Sequence, residues 1–186
     1  MITRRAATLP NLLTVLRIAV VPVFAVVLVV GADRLGFRLL AVGLFVVAAA
    51  TDKVDGWLAR RWDQVTDLGK ILDPIADKLL MGSALVVLSA LGELWWWVTV
   101  VILVREVGIT VMRFFLLRYV VLPASRGGKV KTVLQSMAIG LFLLPLAHLP
   151  AVVTWAAWAT MAAALVVTVA TGVDYLRTAA RIRAEA

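Results

Sequence analysis

Four aspartates are the residues best placed to do chemistry. Asp52 and Asp55 stand three apart, Asp73 and Asp77 four apart, in a chain that otherwise reads as membrane. On helices each spacing puts its two carboxylates on one face. An ionisable group inside a membrane segment is costly and marks a functional site, and four like charges converging there need a positive partner. A pair of divalent cations is the simplest one. Carboxylates are hard oxygen ligands that suit Mg²⁺ or Mn²⁺, and two such ions can clamp the attacking and leaving oxygens of phosphoryl transfer. A bland reading, as helix caps and loop charges, holds for Asp63 and Asp67 and would hold for Asp73 alone. It fails for the four together.

The residues between these pairs fit a phosphate ligand. Gly56 directly follows Asp55, where a missing side chain lets a ligand approach the backbone. Gly69 has a similar place in the loop expected before Asp73. Arg60 lies one turn beyond Gly56 and can fork onto a phosphate.

The elements that must position these groups are membrane helices. The 186 residues are 63% hydrophobic with a mean hydropathy of +1.00, far above ordinary soluble domains. Apolar runs of roughly 18 to 25 residues are long enough to cross a hydrocarbon core. Six spans are expected, at 12–30, 37–58, 74–91, 94–117, 130–147 and 151–175, forming a single all-α membrane domain over residues 1–186. The first is longer than a signal-peptide core and is read as a retained span. Asp73 with Pro74 reads as the N-cap and first position of the third span. That register brings all four carboxylates to one level near a membrane surface.

Charge sets the expected orientation. The net charge of +8 comes from Arg and Lys gathered at one set of loops, which places both termini in the cytoplasm and argues against a nucleic-acid partner. Arg34 and Arg38 are the exceptions on the other side. Trp95, Trp96 and Trp97 open the fourth span as interface anchors. The lone His148 falls on the outer side, away from the aspartates, so imidazole catalysis is not expected. The absence of cysteine excludes thiolate nucleophiles and Cys-ligated zinc.

The order Asp52, Asp55, Gly56, Ala59, Arg60, Gly69, Asp73, Asp77 resembles the signature of the CDP-alcohol phosphatidyltransferases at every fixed position. The resemblance implies a homodimeric enzyme of the bacterial cytoplasmic membrane that moves the phosphatidyl group of CDP-diacylglycerol to an alcohol and releases CMP. It implies that Asp52, Asp55 and Asp73 hold two divalent metals. Asp77 would border them as general base, and Gly56, Ala59, Arg60 and Gly69 would line the CDP-lipid site.

The choice of alcohol rests on further residues. Asn11, Thr14, Arg17, Lys70, Lys78, Gln135 and Tyr175 are among those that resemble the family's bacterial members acting on glycerol 3-phosphate. Chemistry points the same way: Arg105 and Arg113 lie eight apart on one helix face, and Lys129 with Lys131 open the next span from the same side. Together they can bind a dianionic acceptor phosphate. Glu106 is either a ligand or a structural partner of these cations. Arg17 either completes the acceptor site or braces the aspartates. Inositol phosphate would suit a similar basic pocket, whereas phosphatidylglycerol, the acceptor of a cardiolipin synthase, needs a lipid-accessible groove. In another class altogether, intramembrane carboxylates could serve a cation transporter, but those sites usually lie at the midplane between internal repeats, and no repeat is evident here.

Overall fold

In a computed structural model, which describes residues 9–61, 66–116 and 126–185, six long α-helices follow one another. They are α1 (Leu9–Val30), α2 (Leu35–Arg61), α3 (Asp67–Ala90), α4 (Trp96–Leu116), α5 (Arg126–Leu143) and α6 (Ala151–Glu185). A short 3₁₀ turn, Leu146–His148, precedes α6. Asp55, Gly56, Ala59, Arg60 and Arg113 fall on these helices, but their side chains lie outside the described residues. No strand occurs among the described residues, as expected for an all-α membrane protein whose backbone polar groups must be satisfied within each helix. By length and apolarity α1, α2 and α6 each suffice to cross a membrane. The other three are interrupted by the charged groups Asp73, Asp77, Arg105, Glu106, Lys129 and Lys131.

Each helix buries one stripe at alternating three- and four-residue steps, the repeat of one face of a packed helix. On α2 the stripe is Arg38, Ala41, Phe45 and Ala48, with Asp52 next in register. On α1 it is Thr14, Arg17, Val21, Phe24 and Leu28, and on α6 it is Ala157, Met161, Ala164, Thr168, Thr171 and Tyr175. Polar residues fill the N-terminal half of the stripe on α1, the C-terminal half on α6 and the N-terminal half on α5, where Lys131 and Gln135 precede Ala138 and Phe142. The apolar halves form one continuous core centred on Phe24, Phe45, Leu85, Ile102, Phe142 and Met161. Because successive helices run in opposite directions, the polar halves gather at one end of the bundle.

Several helix ends differ from the sequence expectation. Asp73 and Pro74 do not open α3, which begins at Asp67 with Thr66 as N-cap; the Thr66 hydroxyl accepts the Gly69 N–H at 3.0 Å. A side-chain cap on an orphan N–H is worth about 1 kcal/mol. Pro74 lies inside the helix, where its missing donor costs about 3 kcal/mol, more than one cap supplies; contacts of α3 with α1, through Asn11 and Thr14, also hold its first turns. Asp67 and Gly69 therefore belong to the first turn of α3, not to a loop. α5 starts four residues before residue 130, and α6 runs ten residues beyond residue 175. The α3–α4 turn is closed by Gly92 at φ 76°, with Gly92 N–H bonded to Ser89 O and Glu93 N–H to Leu88 O. This left-handed C-terminal cap favours glycine.

The end of the bundle away from the aspartates is tied by one buried cation. Arg38 donates to Leu143 O at 2.9 Å and Phe142 O at 3.0 Å, the last carbonyls of α5, and pairs with Glu93 in the α3–α4 turn. Trp95 packs on Trp158 with ring centroids 4.6 Å apart.

Candidate active site

α1 fastens the two aspartate-bearing helices through a polar stripe. Asn11, Thr14 and Arg17, spaced three apart, are all buried, between 1% and 4% exposed. The Thr14 hydroxyl donates to Asp73 Oδ1 at 2.7 Å and Arg17 Nη1 donates to Asp52 Oδ1 at 2.5 Å. At the start of α3 the Thr66 hydroxyl donates to Asn11 Oδ1 at 2.8 Å. A Cβ at Gly69 would come within 2.9 Å of that same Asn11 oxygen, so a glycine is needed where α1 and α3 meet. Arg17 thus holds one of the four aspartates, Asp52, directly. Asp52 and Asp73 each use Oδ1 for these contacts.

Asp77 stands apart from this scaffold. It faces a cleft of about 480 Å³ between α3, α4, α5 and α6, whose opposite wall carries Arg105, Glu106, Lys129 and Lys131. Asp52 and Lys131 both act on it electrostatically. Along the sequence these groups form two separate clusters, one of aspartates and one of basic residues. The structure makes Asp77 the residue they share.

The basic wall is a linked chain of contacts. Lys131, buried on α5, pairs with Glu106 of α4, and Glu106 in turn accepts from Arg105 Nη1 at 3.0 Å. Arg105 Nη2 donates to Thr171 Oγ1 at 2.8 Å and its Nε to Thr168 O at 3.2 Å, both on α6. Glu106 thus bridges two cations that would otherwise repel each other. Thr171 also lies against α5, since a Cβ at Gly127 would meet its methyl at 2.8 Å. Lys129 is exposed at the cleft mouth.

Carboxylate oxygens with no soft donor among them match a hard divalent ion in chemistry. Among the described residues no group of three or more His, Cys, Asp or Glu side chains surrounds a single ion position, and Asp55 lies outside them. The expected places of Asp55, Gly56, Ala59, Arg60 and Arg113 in the site likewise fall outside the described side chains.

Asn11, Thr14 and Gln135 stand out in the sequence only as part of a resemblance, and Thr168 and Thr171 do not stand out at all. The available signal was a polar residue recurring at helical spacing on an otherwise apolar stripe.

A helical bundle with a carboxylate-rich end defines a class only when joined to the residue pattern, and the two agree. Residues 7–170 match the family model described as CDP-alcohol phosphatidyltransferase. The chain belongs to this family and is a phosphatidyltransferase enzyme rather than a cation transporter. The family generally uses divalent metal ions.

Among its relatives is a Mycobacterium tuberculosis (strain ATCC 25618 / H37Rv) protein named "Probable phosphatidylglycerophosphate synthase". It is 51% identical over 181 residues, covering 95% of this chain and 84% of the relative. The Bacillus subtilis (strain 168) "CDP-diacylglycerol--glycerol-3-phosphate 3-phosphatidyltransferase" is 38% identical over 147 residues, 73% of this chain and 76% of its own. A Rickettsia bellii (strain RML369-C) protein of the same name is 40% identical over 137 residues, 73% of this chain and 75% of its own.

Proposed function

We propose that this protein transfers the phosphatidyl group of CDP-diacylglycerol to glycerol 3-phosphate, giving phosphatidylglycerophosphate and CMP. The observation that carries the reading is the single cleft in which Asp77 faces Lys131, Glu106, Arg105 and Lys129. A dianionic acceptor phosphate is drawn to the basic wall, which leaves its free hydroxyl directed at the aspartate. Asp77 takes the hydroxyl proton as that oxygen attacks the β-phosphorus, and the bond from phosphorus to the CMP oxygen breaks. The names of the relatives support this acceptor over inositol phosphate or phosphatidylglycerol.

Two Mg²⁺ or Mn²⁺ ions held by Asp52, Asp55, Asp73 and Asp77 would offset the diphosphate charge and stabilise departing CMP. Arg17 and Thr14 orient two of those carboxylates from behind. Gly56, Ala59, Arg60 and Gly69 line the CDP-lipid side, and Arg113 adds to the acceptor-phosphate site. The loop charges favour a cytoplasmic site and cytoplasmic termini, and we take the enzyme to act as a homodimer.

The test is turnover by purified protein with CDP-diacylglycerol, Mg²⁺ or Mn²⁺, and glycerol 3-phosphate, inositol phosphate or phosphatidylglycerol as labelled acceptor. Release of CMP is expected with glycerol 3-phosphate and is lost on chelation. Turnover confined to another acceptor overturns the reading.

A further inference from the structure

Gln135 is a polar side chain inside the cleft that takes no part in the linked contacts of the basic wall. It lies one turn after Lys131 on α5, is 4% exposed and forms part of the cleft wall together with Asp77 and Lys131. Its Oε1 is buried with no hydrogen-bond partner among the described residues. A buried acceptor left unsatisfied costs stability, and native folds rarely keep one without a reason. Replacing it with an apolar side chain of similar shape would remove that cost, so a role in ligand binding explains its presence.

The chemistry of an amide narrows the ligand. It is neutral, so it adds nothing to the neutralisation of a phosphate, and it is polar, so it suits no acyl chain. A carbonyl oxygen and an NH₂ group on one plane suit a hydroxyl, which both donates and accepts. Residues one turn apart on a helix have Cβ atoms roughly 5–6 Å apart, and Lys131 is that neighbour. A phosphate bound at Lys131 brings the hydroxyl on the adjacent carbon within reach of Gln135.

We propose that Gln135 is a specificity-determining residue that reads the middle, non-reacting hydroxyl of the acceptor, through the juxtaposition of its buried amide with Lys131 and Asp77 in one cleft. This rests on the proposed acceptor. Phosphate, middle hydroxyl and terminal hydroxyl of glycerol 3-phosphate then correspond in order to Lys131, Gln135 and Asp77. A single amide selects a polyol phosphate over a plain hydroxyalkyl phosphate of the same charge.

The experiment compares glycerol 3-phosphate with 3-hydroxypropyl phosphate, which keeps the phosphate and terminal hydroxyl but lacks the middle one. The wild-type enzyme should favour glycerol 3-phosphate in kcat/KM by at least about tenfold, since a site built to bond a hydroxyl rejects the analogue lacking it. In Gln135→Met the ratio should collapse towards one. The melting temperature of that variant should stay level or rise, because an unsatisfied buried acceptor has been removed. Equal use of both phosphates by the wild type, a ratio unchanged in Gln135→Met, or a clear fall in its melting temperature each overturns the proposal. A second variant, Gln135→Leu, should show the same collapse of the ratio. A wild-type enzyme that releases CMP with inositol phosphate but not with glycerol 3-phosphate instead removes the underlying reading of the acceptor, and the assignment of Gln135 with it.

Discussion

Arg17 of α1 donates to Asp52 of α2, and the two ends of that pair live in different surroundings: the arginine side chain is 1% exposed and the carboxylate 36%. An aspartate proposed to hold metal is thus in contact with a buried cation. Thr14 likewise contacts Asp73. The first helix contributes no carboxylate, yet it sets the position of two.

The asymmetry of that pair predicts an order of stabilities. Asp52→Ala takes one carboxylate partner from a buried guanidinium, whereas Arg17→Met leaves a carboxylate that water can reach. Asp52→Ala should therefore be the more destabilising, by about 3 kcal/mol against wild type, the lower end of the range for breaking a buried pair. Unfolding of both variants in the same detergent measures this, and the reverse order contradicts the bracing role. Both should lose activity.

Asp77 tests the chemistry itself. Asp77→Asn preserves shape and removes the base, so turnover should fall by a factor of about 10² to 10⁴, the usual contribution of general-base catalysis. Metal-dependent binding of the CDP-lipid should be partly retained. A rate near wild type would reassign the base.

Thr171 separates positioning from binding. Thr171→Val keeps the methyl group at Gly127 and removes the acceptor for Arg105, so the basic wall loses one anchor. KM for glycerol 3-phosphate should rise by about three- to tenfold, the worth of one hydrogen bond, with KM for CDP-diacylglycerol little changed. Thr171→Ser, which keeps the hydroxyl, should restore most of the affinity. Equal effects on both substrates would point to general loosening of the bundle instead.

Arg38 provides the control at the opposite end. Arg38→Leu leaves the two last carbonyls of α5 and Glu93 without this donor, and should cost about 2–4 kcal/mol of stability. Neither KM should move, because Arg38 is far along α2 from Asp52. A selective change in one KM would show that the two ends are coupled.

Much of the site is legible in the residues themselves. The types and spacings of Asp52, Asp55, Asp73 and Asp77 point to metal-assisted phosphoryl transfer, because helical spacing is a local rule that fixes which residues share a face. The start of α3 is not legible in the same way. Asp73–Pro74 is a strong local signal, while Thr66 draws part of its value from Asn11, 55 residues away. The assignments of Gly56, Ala59, Arg60 and Arg113 rest on sequence alone, their side chains lying outside the described residues.

By itself, the sequence determined the reaction class and the helical architecture. The polar half of each buried stripe alternates between helix starts and helix ends, and antiparallel helices bring those halves together. Only the tertiary structure decided which partners meet: Arg17 with Asp52, Thr14 with Asp73, Thr171 with Arg105, and Asp77 opposite Lys131. Helical periodicity orders residues along one element, whereas pairings across elements depend on which helices pack side by side and at what rotation. Neither is encoded in the spacing of any single helix.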